Sequence, residues 1–358
     1  TLAGAGALAS GCAEPPALSR EGGGGVAVSS AEPYKAEDGS FGVRTRTWTW
    51  TDGARGRDVP VKAYLLSDAD GPVPLLVFSH GGGGSRGGGS YLGEHLASHG
   101  YAVVMPQHAG SDREALRGGA GRRGLLRRGV LRERLLAMVR DTENWSDRPH
   151  DVSFVIDRAL TGALGVEIDA DRVGVMGHSY GAYTAMAVGG MLVDMPGAAD
   201  MSFGDPRVGA VVAFSPQGTG RFGIDEGAWS GIGGPLLMVT GTEDVIGTEE
   251  AGPGRAWEWR REAFDAMRAD GVDHDTALAV IEDATHMAFS DARGARIFRL
   301  IRGERRDPRH HGWILQLTTA WFDAHLRGSG DARAWLGDAV IEEQTGGEVV
   351  LETADPGG

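Results

Sequence analysis

The sequence predicts an α/β fold, with a mostly parallel, doubly wound sheet and flanking helices. Three observations lead to this class. Short, continuous apolar runs recur along the chain, as expected for strands that are covered on both faces of a parallel sheet. Helical patterns separate these runs in a regular strand-helix rhythm. The chain has 358 residues, 41% of them hydrophobic, which is enough to bury one large α/β core or two modest ones.

An antiparallel pair of strands is predicted to open the sheet. Residues 44–50 alternate with period two, and residues 59–66 follow after a turn that contains Asp52 and Gly53. The later strands are the apolar runs at residues 75–78, 102–105, 173–176, 208–214, 236–239 and 277–281. Helical patterns lie at residues 91–99, 151–160, 183–192, 257–269 and from His311 to His325.

The N-terminal segment resembles a processed signal. Residues 1–12 are small and apolar, and Leu8–Cys12 looks like the end of a bacterial lipoprotein signal whose cysteine is lipidated. Residues 13–40 then read as a flexible tether. The alternative is a disordered leader in which Cys12, the only cysteine, has no role. The first interpretation predicts an extracytoplasmic protein, either a cell-envelope lipoprotein held on the membrane through Cys12 or a secreted protein.

The charge balance argues against one class of partner. The chain has 35 basic and 49 acidic residues, a formal net charge of -14. Nucleic-acid binding needs a basic face that neutralises phosphates, so we expect a small-molecule partner and no nucleic acid. His310 and His311 lack metal-ligand spacing, and we assign no metal and no other cofactor.

The pentapeptide Gly177-His178-Ser179-Tyr180-Gly181 fits the pattern G-x-S-x-G of a nucleophile elbow. An apolar strand precedes it and a helical pattern follows it, which is the context that the elbow requires. The two glycines are needed because the serine lies in a strained turn, where side chains two residues before or after would collide with backbone. Ser179 is therefore the predicted nucleophile of a serine hydrolase with an α/β-hydrolase fold.

A serine nucleophile needs a base, and the base needs an acid that orients it. In this fold class both follow the serine along the chain. Asp244, after the strand at residues 236–240, is the predicted acid. Glu243 is its competitor, since a shift of one residue at the strand end would exchange the two. His286 follows the last predicted strand and is the predicted base.

The tetrahedral intermediate of ester hydrolysis needs backbone N–H donors that form an oxyanion hole. The amide of Tyr180, directly after the nucleophile, is one predicted donor. The second is assigned to the glycine loop His80–Gly84, with Gly82 as first choice and Gly83 as second. A phosphate-binding role is less favoured, because this loop lacks the Gly-Lys-Ser/Thr of a Walker loop and the context of a dinucleotide loop.

Two irregular stretches are expected to determine the substrate. Residues 109–148 have an amphipathic, arginine-rich helical pattern, which predicts a lid-like insertion over the pocket or a surface that touches anionic lipid. The alternative is a peripheral helix with a solvated arginine face. Residues 215–234 contain Phe222 and Trp229, which either line an acyl pocket or pack in the core.

Five segments carry a family resemblance. They are Pro74–Gly81, Leu96–Val104, Arg148–Asp157, the elbow and Ala284–Phe289. These segments look like bacterial predicted dienelactone hydrolases related to platelet-activating-factor acetylhydrolase. The resemblance covers roughly residues 41–351, and it implies an α/β-hydrolase fold, esterase chemistry and a triad on Ser179, Asp244 and His286. True dienelactone hydrolases use cysteine as nucleophile, so this elbow points to carboxylic esters and not to dienelactones.

The predicted organisation is a signal-like segment at 1–12, a tether at 13–40, a catalytic domain at 41–328 and a C-terminal extension at 329–358. The predicted activity is hydrolysis of short-chain or lipid-type esters through an acyl-enzyme. A lipase, a polyester hydrolase or a peptidase would use the same triad, and a non-catalytic surface binding protein would keep the same scaffold. The sequence leaves the acyl chain length and the oligomeric state open.

Overall fold

The computed structural model describes residues 34–118, 128–245, 257–291 and 307–354. Its strands are β1 Val43–Asp52, β2 Arg57–Leu66, β3 Val73–Ser79, β4 Ala102–Pro106, β5 Ile168–His178, β6 Leu192–Met195, β7 Ala198–Ser202, β8 Val208–Phe214, β9 Leu236–Glu243, β10 Thr276–Thr285 and β11 Val349–Ala354. Its helices are α1 Ser90–Ser98, α2 Arg113–Arg117, α3 Arg128–Arg140, α4 Thr142–Leu160, α5 Tyr180–Val188, α6 Glu262–Asp270, α7 Pro308–Leu326, α8 Gly330–Trp335 and α9 Asp338–Thr345.

One large sheet has the strand order β1-β2-β4-β3-β5-β8-β9-β10-β11. The five neighbouring pairs from β4 to β10 are parallel. The pairs β1-β2, β2-β4 and β10-β11 are antiparallel, so the predicted opening pair is confirmed. This mostly parallel sheet with helices on its faces is an α/β-hydrolase fold, as the sequence predicts.

Hydrophobic cores lie on both faces of the sheet. In β3 every residue is buried, and the adjacent Leu76 and Val77 belong to different cores because successive strand side chains point to opposite faces. Val77 shares its core with residues of α4, α5 and α6, whereas Leu76 packs with residues of α1 and α7. Coverage on both faces explains why the central strands read as continuous apolar runs.

Helix α4 begins nine residues earlier than the sequence predicts, and it contains Pro149. A proline inside a helix removes the N–H that would bond the carbonyl four residues earlier, here that of Trp145. The hydroxyl of Tyr183 donates to this carbonyl at 3.0 Å. The freed oxygen is therefore satisfied from α5, and the helix continues through the proline.

Both predicted ends of the catalytic domain differ from the observed edges of the fold. Strand β11, within the predicted C-terminal extension, pairs with β10 in the main sheet. On the N-terminal side, Tyr34 donates to Asp323 at 2.8 Å and Lys35 pairs with the same carboxylate. The β6-β7 hairpin is a further element that the sequence did not indicate. Cys12 and the signal-like segment lie outside the described residues.

Among the helices of the described part, none has both the length and the apolar character needed to cross a membrane.

Candidate active site

Ser179 lies in the tight turn between β5 and α5, with φ 57° and ψ -118°. Its amide donates to the carbonyl of Phe214 at 2.9 Å. A Cβ at Gly177 would lie 2.1 Å from the carbonyl oxygen of Gly181, and one at Gly181 would lie 1.9 Å from that of Ser79. Only glycine fits at both places, as the elbow pattern requires.

The structure brings Ser179, His286 and Asp244 into one hydrogen-bonded chain. His286 Nε2 lies 3.0 Å from Ser179 Oγ, and Nδ1 lies 2.8 Å from Asp244 Oδ1. A carboxylate only accepts, so Nδ1 carries the proton and Nε2 accepts from the serine hydroxyl. The competitor Glu243 is exposed at the end of β9. The geometry therefore favours Asp244 over Glu243 as the partner of His286.

Asp244 is fully buried, yet several donors hold its charge. Arg260 Nε lies 2.8 Å from Oδ1, and the hydroxyls of Ser215 and Thr240 donate to Oδ2 at 2.5 and 3.1 Å. Burial alone raises the pKa of this carboxyl, but Arg260 and His286 outweigh it and bring the pKa below its usual range. Asp244 is thus a carboxylate at any pH near neutrality.

Arg260 is a member of the site that the sequence did not single out. It is buried, and Nη1 donates to the carbonyls of Ser215 and Pro216 at 3.0 and 2.8 Å. Its Nη2 lies 3.2 Å from His286 Nδ1. Because the Nδ1 proton faces Asp244, Arg260 acts on His286 as a neighbouring positive charge and not as a donor.

His178, the second residue of the elbow pentapeptide, is hydrogen-bonded to the backbone of His286. Its Nε2 donates to the carbonyl of His286 at 2.9 Å, and the two ring centroids are 4.8 Å apart. Burial holds the pKa of His178 well below its ordinary value, so the ring is neutral. The elbow thereby fixes the backbone of the predicted base as well as the nucleophile.

The two predicted oxyanion donors are on the elbow, at Tyr180, and on the glycine loop, at Gly82. Tyr180 is the first residue of α5, and Gly82 lines the same cleft as Ser179. In the described part of the chain, neither backbone amide donates to a protein acceptor. The second choice, Gly83, is different, because its amide donates to the carbonyl of Ser111 at 2.9 Å. Because the Gly83 amide already has an acceptor, Gly82 is the better candidate for the second oxyanion donor.

Two histidines and an arginine fix the glycine loop through hydrogen bonds. His80 accepts the amide N–H of His108 at Nε2, 3.1 Å away, so its Nδ1–H donates to the carbonyl of Gly81 at 2.8 Å. Arg148 donates to the carbonyl of His80, and its guanidinium lies 4.3 Å from the centre of the Tyr180 ring. The loop and the elbow therefore share one buried support.

Below the loop lies a second Ser-His-Asp arrangement, of Ser79, His108 and Asp151. Ser79 Oγ is 3.0 Å from His108 Nε2, and Nδ1 is 3.0 Å from Asp151 Oδ2. All three side chains are fully buried, and Arg148 also donates to Ser79 Oγ at 3.0 Å. No substrate can reach this serine, so the arrangement is part of the support.

The two predicted pocket residues pack in the core instead. The Phe222 ring stacks on those of Tyr180 and Tyr183, at 4.7 and 5.0 Å between centroids, and Trp229 is buried in the same core. Neither lines the cleft beside Ser179. The core alternative for both residues agrees with the structure, because Phe222 packs against α5 and Trp229 is buried in the same core.

The insertion at residues 109–148 does reach the site. Arg113 and Leu116 of α2 line the cleft together with Phe78 and Met287. From α3, Leu135 packs on the glycine loop, where a Cβ at Gly82 would lie 3.1 Å from its Cδ1. The part of the insertion at residues 119–127, with Leu125 and Leu126, lies outside the described residues.

A comparison with known protein families matches residues 55–117 to the family described as platelet-activating factor acetylhydrolase, isoform II. The matched segment holds β2, β3, the glycine loop, α1, β4 and α2, but none of Ser179, Asp244 and His286. No curated protein matched the chain. The chain thus has an α/β-hydrolase fold and, over residues 55–117, is similar to platelet-activating-factor acetylhydrolases, which supports a hydrolase of the type that acts on esters.

Proposed function

We propose that the protein is a serine esterase that hydrolyses carboxylic esters through an acyl-enzyme on Ser179. One observation carries this proposal, the hydrogen-bonded chain from Ser179 through His286 to Asp244 beside an open cleft. A serine hydroxyl is a weak nucleophile, and this arrangement supplies the base and the acid that activate it.

In the acylation step, Ser179 Oγ attacks the ester carbonyl while His286 Nε2 takes the hydroxyl proton. Asp244 balances the imidazolium that forms. The amides of Tyr180 and Gly82 donate to the oxyanion, and each such donor contributes about 2.7–4 kcal/mol to the transition state. When the tetrahedral intermediate collapses, the C–O bond to the alcohol breaks and His286 returns the proton to the leaving oxygen.

Deacylation repeats these steps with water. His286 takes a proton from the water that attacks the acyl carbon, and it returns this proton to Ser179 Oγ as the acid is released. The free enzyme is restored with no net proton held. Phe78, Leu116 and Met287 form part of the lining of the cleft, and these apolar side chains suit the acyl group of a short-chain or lipid-type ester.

Substitution of the nucleophile tests the proposal. Ser179→Ala removes the acyl acceptor, so turnover of 4-nitrophenyl butyrate should fall at least ~10³-fold. Ser230→Ala, at an exposed serine of the same fold, serves as the matched control and should keep the wild-type rate. Equal rates for wild type and Ser179→Ala would exclude the assignment.

A further inference from the structure

An arginine whose Nε–H has no acceptor among the described residues lines the cleft beside Ser179. Arg113 shares this cleft with Ser179 and the glycine loop. Its Nε is buried, and no acceptor lies within hydrogen-bond distance in the part of the chain that the structure describes. Buried polar groups in folded proteins nearly always have partners, so an orphaned guanidinium N–H in a substrate cleft calls for a ligand.

A second donor in the same cleft is also unsatisfied. The hydroxyl of Ser290 lines the cleft, and its Oγ is buried with no hydrogen-bond partner among the described residues. Ser290 is on the segment that follows His286, whereas Arg113 belongs to α2. Two unpaired donors thus reach one cleft from separate parts of the chain.

The backbone of Arg113 is fixed against the oxyanion loop. Its amide donates to the carbonyl of Gly84 at 2.7 Å, and the Gly83 amide donates back to Ser111 at 2.9 Å. Asp112 then caps α2 by accepting the amides of Glu114 and Ala115 at 3.0 and 2.9 Å. The backbone of Arg113 therefore has a defined position against the glycine loop.

The carboxylates of Asp112 and Asp291 accept hydrogen bonds from groups other than Arg113. Besides capping α2, Asp112 accepts from Gln107 Nε2 at 2.8 Å. Asp291 also lines the cleft, and it accepts the amide and the hydroxyl of Ser90 at 3.3 and 2.5 Å. Among the described residues no acceptor reaches Arg113 Nε, so this N–H is available to a substrate.

We propose that Arg113, with Ser290, forms an anion subsite, and that the preferred substrates are esters that carry a carboxylate or phosphate group. Arginine suits both groups, since its planar N–H donors match their paired oxygens. The inference rests on the proposed esterase function and names the substrate class of the same site. It makes Arg113 a specificity-determining residue, which binds the substrate away from the bond that breaks.

Two pairs of esters test the subsite. The carboxylate pair is the mono-4-nitrophenyl ester of glutaric acid and its methyl ester. The phosphate pair is the acetyl ester of glycerol 3-phosphate and glycerol monoacetate. Hydrolysis of both esters is measured from the protons that it releases. In each pair the charged and neutral members share the scissile ester, so the ratio of their kcat/KM values reports the subsite alone.

We expect Arg113→Gln to lower the charged-to-neutral ratio at least tenfold in one pair or both, mainly through KM, and Arg113→Lys to lower it less. Arg117→Gln, at an exposed arginine of the same helix, should leave the ratio as in wild type. A loss confined to one pair identifies the group as carboxylate or phosphate. An unchanged ratio in both pairs for Arg113→Gln overturns the subsite.

A failure of the esterase proposal is distinguishable from a failure of the subsite. If the wild-type protein cleaves none of the four esters, calorimetry with glutarate and with inorganic phosphate measures anion binding directly. Binding that Arg113→Gln abolishes supports the subsite without any activity. Absence of binding to the wild-type protein overturns it.

Discussion

At the scale of single residues, Arg260 controls the charge around the predicted acid and base. It contacts Asp244 at 2.8 Å and lies 3.2 Å from His286, and all three side chains are buried. Its positive charge stabilises the Asp244 carboxylate and lowers the pKa of that group. Arg260 is therefore a positioning residue, since it acts on the reaction through Asp244.

Replacement of Arg260 by methionine tests this role. We expect kcat for a neutral ester to fall about tenfold, because Asp244 loses a charged donor of the kind worth roughly 1.5–3 kcal/mol. KM should change little, because Arg260 does not line the cleft beside Ser179.

Arg260→Lys is the control, because it keeps the charge and should recover part of the lost kcat. A merely structural role would lower stability and active fraction in both variants alike. Equal losses of kcat in Arg260→Met and Arg260→Lys would contradict the electrostatic role.

The residue-level sequence predictions that agree with the structure are those that a local pattern specifies. Ser179 is recognisable because the elbow needs glycine at 177 and 181, where a Cβ would meet backbone at 2.1 and 1.9 Å. Arg260 and Arg148 have no such pattern. Each contacts segments that are distant in sequence, and their role follows only from the fold.

At the scale of elements, burial determines which strands can be predicted. The central strand β3 is buried along its whole length, so its apolar run stands out. Strands β6 and β7 have mostly partly or fully exposed side chains, and they carry no comparable pattern. Edge strand β11 alternates between buried and partly buried residues, and its pairing with β10 joins segments that are remote along the chain.

The predicted start of helix α4, at residue 151, comes too late along the chain. Proline usually marks a helix boundary, and Pro149 lies two residues before the predicted start at residue 151. The structure keeps the helix intact because Tyr183 satisfies the carbonyl that the proline leaves open. A side chain supplied by another helix is not visible in a local reading of the sequence. The difference matters for function, since the first half of α4 carries Arg148.

At the scale of the whole molecule, the parallel sheet assembles the candidate site. Ser179, Asp244 and His286 follow β5, β9 and β10, and the carboxyl ends of parallel strands meet at one edge. The elbow pattern, the preceding strands and the order along the chain led to their selection, with Glu243 as the competitor of Asp244. The cleft beside them was not predictable, because its lining combines the glycine loop, α2 and the segment after His286.

The buried histidines predict how global stability depends on pH. Burial lowers the pKa of His108 to about 4 and holds those of His80 and His178 well below the ordinary value. In the unfolded chain these groups titrate near 6.5, so the unfolded state binds more protons between about pH 6.5 and 4. The free energy of unfolding should therefore fall as the pH falls through this window.

Urea unfolding at pH 7 and pH 5 measures this loss. Each histidine contributes up to about 1.4 kcal/mol per pH unit where its two states differ by one proton. His108→Asn should reduce the slope by about one proton. Asp151 and Asp244, whose pKa values are lowered, lose their contribution only below about pH 4. A stability independent of pH between 7 and 5 would contradict the neutral, buried state of these rings.

The most direct test of the central claim is the site at which a fluorophosphonate attaches. Such a probe phosphonylates a serine only where a neighbouring base activates it. Mass spectrometry of the labelled protein should show one adduct per chain, and peptide mapping should locate it on Ser179, with none in His286→Ala. Absence of an adduct, or an adduct on another serine, would contradict the proposed acyl-enzyme.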